Sequence, residues 1–296
     1  MAATRVHHVS IGDTRLFVAE RGDGYPVLLL HGGPGLDHHV FGDYLDPLAN
    51  DYRLLFVDQR AQGRSDAAPN HTWTLEQMAK DVSSLARALG LERYAVLGHS
   101  YGAFVALQHA CDFPGDAAQV IVSNGLASSR WLKGVDHNLA AFEPVELRVQ
   151  LTQSWARERS AATHEDVASL LHDQLPFQFG DPLDPRIEEY ERRAEGARYS
   201  PDVLRFFAQQ DYGGIDVEGR LGGITQPVLV IGGRRDRTCA LEAAGEMARA
   251  IPLAELAVFE SGHMTFVEEN ELYLQVVRDF LSRHAGLDRA RSAKPV

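Results

Sequence analysis

Residues 94–110 read YAVLGHSYGAFVALQHA, an apolar run joined to a helical pattern through Gly98-His99-Ser100-Tyr101-Gly102. A buried strand, a tight turn and a helix, in that order, form the setting in which a Gly-x-Ser-x-Gly motif presents a nucleophilic serine. The two glycines let the turn close without Cβ clashes, and the turn lifts Ser100 to the helix N-terminus. There the helix dipole and free N–H groups favour developing negative charge.

Working outward, short aliphatic and β-branched runs recur at Arg15 to Ala19, Val27 to Leu30, Arg53 to Val57, Tyr94 to Leu97, Gln119 to Ser123, Val228 to Ile231 and Leu256 to Phe259. Several are almost wholly apolar, as strands buried on both faces should be. Between them, Leu75, Met78, Ala79, Val82, Leu85, Ala86 and Leu89 trace one helical face, with Thr74 and Gln77 as its capping box and Gly90 as its stop. This alternation predicts an α/β fold with a mostly parallel sheet flanked by helices. The first two runs, on either side of Gly12 and Asp13, predict an antiparallel hairpin at one edge.

Strand-like runs vanish from about Gly125 to Arg220, and charged helical sequence with Trp131, Trp155, Phe177, Phe179, Phe206 and Phe207 replaces them. The expected organisation is a core of residues 1–124 and 221–284, a helical cap inserted at 125–220, and a polar, basic, frayed tail at 285–296.

A serine hydroxyl needs a base, and the base needs an orienting acid. On a strand–turn–helix elbow the chain order is Ser, then Asp or Glu, then His. Of thirteen histidines, only His263 and His284 follow late enough. His284 closes an amphipathic helix, Leu272 to Leu281, and reads as a surface residue. His263 ends Glu260-Ser261-Gly262-His263 directly after a strand, where a loop can carry imidazole over Ser100. Asp236 follows the strand and glycines Val228 to Gly233, flanked by Arg234, Arg235 and Arg237, whose charges would lower its pKa. The other place for an acid, after Gln119 to Ser123, holds Asn124, which is no carboxylate. His31-Gly32-Gly33-Pro34-Gly35 leaves backbone N–H groups open to an oxyanion, a role assigned to Gly33 and Tyr101. His31, His99 and the adjacent His38 and His39 read as structural or solvated, and Cys239 as a small buried hydrophobe.

A net charge of -12 and a pI near 5.5 disfavour nucleic acid and anionic membrane surfaces. No apolar stretch marks a signal peptide or a membrane span, so the expected compartment is the cytoplasm. Two cysteines, Cys111 and Cys239, at no zinc spacing, predict neither a disulfide nor a metal. His31 to Gly35 lacks a P-loop lysine and the GxGxxG spacing, so no nucleotide is expected and no cofactor is called for.

Taken together, HGGPG at 31–35, VDQRAQGRS at 57–65, GHSYG at 98–102, GGRRD at 232–236 and SGH at 261–263 resemble the proline iminopeptidase branch of the α/β hydrolases. The resemblance spans roughly Val27 to Ser123 and Gln226 to His284. It implies an α/β-hydrolase fold and a serine hydrolase acting on a small-molecule or short-peptide substrate. The implied reaction is release of an N-terminal proline, or related amide cleavage, through an acyl-enzyme. The GHSYG elbow is also shared with many esterases and lactonases, so carboxylesterase or lactonase chemistry is the alternative. Carbon–carbon hydrolysis of a diketone, or a non-catalytic binding module, ranks after these.

Overall fold

The computed structural model describes residues 4–285, so the frayed tail expected over 285–296 lies outside the described residues except for Ala285, the end of the last helix. Eight strands form one sheet: β1 (Arg5–Ser10), β2 (Arg15–Arg21), β3 (Tyr25–Leu30), β4 (Tyr52–Val57), β5 (Ala95–His99), β6 (Gln119–Ser123), β7 (Val228–Gly233) and β8 (Ala254–Phe259). Their order is β1-β2-β4-β3-β5-β6-β7-β8. β1 and β2 form the edge hairpin, with Gly12 at φ +112° and a 3.0 Å bond from Ile11 N–H to the Thr14 carbonyl closing the turn. β2 runs antiparallel to β4, and every pairing from β4 to β8 is parallel.

The apolar strands are buried on both faces because alternate side chains leave opposite sides of the pleat. Leu28, Leu30, Val96, Val120 and Val122 join a cluster with Met78, Val82 and Phe104. Leu29, Ala95, Leu97 and Ile121 join another with Phe266, Tyr273, Val277 and Phe280. Helices α1 (Leu75–Ala88) and α2 (Tyr101–Asp112) supply the first cluster; α9 (Thr265–Glu268) and α10 (Asn270–Ala285) supply the second. α8 (Leu241–Ala250) packs on β7 and β8.

At the start of α1, Thr74 accepts from the Gln77 N–H at 3.1 Å. The reciprocal half of the capping box is replaced: the Gln77 amide donates to Asp81 instead, at 2.9 Å. Asp81 is a fixed buried acceptor because Arg60 clamps both its oxygens at 2.7 Å.

Between β6 and β7 the chain forms α3 (Lys133–Ala140), α4 (Val145–Glu158), α5 (His164–Gln178), α6 (Arg186–Arg193) and α7 (Pro201–Ala208). Its entry and exit are clasped together by Ser129 N–H to the Ile215 carbonyl, 2.7 Å, and Val217 N–H to the Ala127 carbonyl, 2.8 Å. Phe142, Leu151 and Phe177 form a small core inside this segment, with Trp155 packed on it. Phe207 instead faces the sheet domain, its ring 5.2 Å from that of Tyr101.

Candidate active site

Every candidate residue lies just beyond the C-terminal end of a parallel strand, the edge where ligands bind in such sheets. Ser100 follows β5 and caps α2 with φ 56° and ψ −121°, its N–H bonded to the Ser123 carbonyl at 2.9 Å. The glycines around it are dictated by contact. A Cβ on Gly98 would stand 2.0 Å from the Gly102 oxygen, and one on Gly102 would stand 2.1 Å from the Leu30 oxygen. β5, α2 and β3 therefore approach more closely there than any side chain permits.

Asp236 follows β7, and its carboxylate is buried and fully engaged. Oδ1 accepts the N–H groups of Thr238 and Cys239, each at 2.8 Å. Oδ2 accepts His263 Nδ1 at 2.8 Å and the Asn124 amide at 2.9 Å. Two of the three arginines beside it bond elsewhere, contrary to the sequence expectation. Arg237 donates to the carbonyls of Phe177, Phe179 and Gly180 and lies 4.9 Å over the Phe142 ring. Arg234 pairs with Glu260 at 2.9 Å. Backbone and amide N–H groups hold the carboxylate in place of guanidinium charge.

His263 follows β8 and is buried, with its N–H bonded to the Gln178 carbonyl at 2.7 Å. Its ring packs 5.0 Å from that of His99. Burial, and then the neighbouring His263, push the His99 imidazole well below its ordinary pKa, so His99 is a neutral packing partner. Cys239 is buried, and burial pushes its thiol well above the usual range, away from nucleophilic thiolate.

The loop after β3 places Gly33 at φ +118°. A Cβ on its neighbour Gly32 would stand 3.1 Å from that of Ser100, so the loop lies directly beside the serine. His31 supports it from beneath: Nε2 accepts the Gln59 N–H at 3.2 Å, which leaves Nδ1 to donate to the Gly32 carbonyl at 2.7 Å. Tyr101 opens α2, where an N–H has no carbonyl one turn back to bond. Its side chain is buried, with the hydroxyl on Met78 Sδ.

His38 and His39 pack on each other, with ring centroids 4.4 Å apart. They sit in a short 3-10 turn and bond neighbouring carboxylates, His38 to Asp58 at 2.6 Å and His39 to Asp37 at 3.0 Å. Against the burial that would raise it, the His39 bond helps hold the Asp37 carboxyl below its ordinary pKa. Among the described residues, Asp37, His38 and His39, and likewise Asp236, Cys239 and His263, bring metal-ligating atoms within 4.8 Å. In the first group the Arg64 guanidinium already bonds Asp37 at 2.5 Å. In the second, four N–H donors occupy the carboxylate. Neither is laid out to receive a cation.

The inserted helices sit on the site through glycine contacts. A Cβ on Gly35 would meet that of Leu204 at 2.8 Å, and one on Gly262 would meet Gly180 N at 2.5 Å. Glu268, which no motif marks, accepts the N–H groups of Gly180 and Gly262, both at 2.8 Å, and so ties the inserted segment to the His263 loop. Beside this region α5 and α6 enclose a cavity of about 310 Å³ with Leu36, Ala168, Leu171, Leu175, Tyr190 and Tyr199 in its wall. Leu36 also lies within 3.0 Å of where a Gly33 Cβ would be, so cavity and loop share a wall. Among the described residues no helix is long and apolar enough to cross a membrane.

The family model for the alpha/beta hydrolase fold matches residues 25–270. A proline iminopeptidase of Heyndrickxia coagulans is 30% identical over 274 residues, covering 89% of this chain and 92% of its own. The solved proline iminopeptidase of Mycobacterium smegmatis superposes with a TM-score of 0.72 at 25% identity, covering 95% and 98% of the two chains. An esterase from Exiguobacterium antarcticum has the same fold, with a TM-score of 0.72 at 23% identity and coverage of 95% and 100%.

Proposed function

The chain belongs to the alpha/beta hydrolase family, and on that ground we propose that it is a proline iminopeptidase-like serine hydrolase with Ser100 as nucleophile, His263 as general base and Asp236 as orienting acid. The observation that carries this reading is the 2.8 Å bond from His263 Nδ1 to Asp236, which leaves Nε2 as the ring's free lone pair. Ser100 Oγ attacks the scissile carbonyl and its proton passes to Nε2. The oxyanion is met by the N–H groups of Gly33 and Tyr101. His263 then gives the proton to the leaving nitrogen or oxygen, and a water repeats the sequence to free Ser100. The scheme uses the chain's own groups and water on a small or short-peptide substrate, and we place it in the cytoplasm.

The test is a pair of initial rates, on proline p-nitroanilide and p-nitrophenyl butyrate. Cleavage of the anilide at a competitive kcat/KM supports the aminopeptidase, whereas cleavage of the ester alone assigns a carboxylesterase. The second reading has one observation in its favour. Arg237 directly follows Asp236, and a half-buried cation there disfavours a substrate ammonium.

Asp236→Asn is expected to lower kcat about 10⁴-fold. Two backbone N–H groups fix an acceptor at Oδ1, so the new amide must aim its NH2 at His263 and Asn124. His263 then bonds through an unprotonated Nδ1, which puts the proton on Nε2 and removes the base. Steady-state rates at neutral pH check this; a loss under tenfold would remove Asp236 from the role.

We place the leaving part of the substrate in the cavity beside Leu36. Ala168→Trp, which fills it from α5, is expected to raise KM roughly tenfold with kcat nearly unchanged, as for loss of uniform binding. An unchanged KM would take the cavity out of the substrate's path.

A further inference from the structure

We propose that Asn124 is a positioning residue for the proposed acid, and that its amide donor keeps Asp236 aimed at His263. The inference rests on the hydrolase reading above and concerns the one residue, among the described residues, that is neither a member of the triad nor part of the oxyanion hole yet bonds the acid through its side chain.

Asn124 stands at the end of β6 with φ 50°, a left-handed conformation that asparagine tolerates better than most residues. Its N–H is tied to the Ile231 carbonyl at 2.9 Å, so β7, the strand that leads to Asp236, fixes its backbone. The amide orientation is determined by its neighbours. Oδ1 accepts the buried Thr265 hydroxyl at 2.8 Å, which turns Nδ2 toward Asp236 Oδ2 at 2.9 Å. A flipped amide would set an oxygen against the carboxylate and two donors against each other.

Oδ2 therefore receives two donors, one from His263 and one from Asn124, and Oδ1 receives two backbone N–H groups. With four donors the carboxylate can neither rotate nor take a proton without breaking a bond. Without Asn124, only His263 holds Oδ2. Hydrogen bonds to a charged group change a rate by about 10- to 100-fold when lost.

The other titratable or charged groups facing this pair are accounted for. His99 packs against His263 and is held neutral by burial. Cys239 is a buried thiol, pushed up by burial. Arg237 points its guanidinium at the carbonyls of Phe177, Phe179 and Gly180. Glu268 is held by Gly180 and Gly262. Tyr273 reaches only Ser123, with its hydroxyl 3.2 Å from Oγ. None of these supplies the donor that Asn124 gives.

The experiment follows the rate of Ser100 labelling by a fluorophosphonate against pH in wild type, Asn124→Ala and Asn124→Asp. Asn124→Ala is expected to label about 10- to 100-fold more slowly with its thermal midpoint near that of wild type. Asn124→Asp keeps the size of the side chain and makes it a donor only while protonated. Two carboxylates that close share one proton, and the second ionisation is pushed upward. The ratio of Asn124→Asp to wild-type labelling should therefore change with pH between about 5 and 9. A ratio that does not vary with pH, or an Asn124→Ala rate equal to wild type, overturns the proposal, since a packing role would give no pH signature.

If wild type itself fails to label, the hydrolase reading falls. The bond is then read by NMR titration of the His263 ring, which needs no turnover. Asn124→Asp should raise that midpoint by about one unit or more. An unmoved midpoint overturns the positioning role independently.

Discussion

Ser100→Ala is expected to lower kcat by about 10⁶-fold and to abolish fluorophosphonate labelling, while the protein stays folded. The bond from residue 100 N–H to the Ser123 carbonyl belongs to the backbone and survives the substitution. The serine side chain makes no capping bond to α2, so removing Oγ costs the helix no cap. The strain of φ 56° is already present in the wild type and is similar for alanine. What is lost is chemical: His263 and Asp236 remain bonded with no hydroxyl to activate. Some residual turnover, about 10³- to 10⁴-fold over water, is expected from the backbone donors at Gly33 and Tyr101. Labelling that persisted in Ser100→Ala would place the nucleophile elsewhere. Circular dichroism on the same sample establishes that the variant is folded.

The sheet and the candidate residues were legible because each is encoded locally. Strands buried on both faces produce unbroken apolar runs such as VLLL and YAVL, and the loops that follow them carry Ser100, Asp236 and His263 in a fixed order. What surrounds those residues is set by contacts that no spacing records. Asn124 was visible only as a position lacking a carboxylate, because an amide donor to another strand's loop has no motif. Glu268 lies five residues beyond His263, but its partners are the backbones of Gly180 and Gly262. The arginines around Asp236 suggested a charge effect from sequence proximity alone. Arg237 instead spends its donors on carbonyls of residues 177–180, a segment more than fifty positions away.

Gly98→Ala is expected to be among the most damaging single substitutions in the chain, with loss of more than about 4 kcal/mol or failure to fold. Its methyl would lie 2.0 Å from the Gly102 oxygen, 2.4 Å from the Gly102 carbonyl carbon and 2.6 Å from Ala103 N, all backbone atoms of the first turn of α2. No rotamer relieves that, so α2 must move off β5. α2 is buried from Tyr101 through Ala110, and a Gly102 Cβ would itself collide with β3, so the helix has no slack on either side. Gly134, inside α3, is the matched control. It has open space around its Cβ position, and alanine there is expected to be neutral or stabilising by up to about 1 kcal/mol. Thermal denaturation should separate the two, with Gly98→Ala lower by about 10 °C or more and Gly134→Ala at or above wild type. Equal midpoints would mean that the elbow can relax around a side chain. The strained turn at Ser100 would then have lost its support, because it is the close seating of α2 between β3 and β5 that holds the serine at φ 56° beside the Gly32-Gly33 loop.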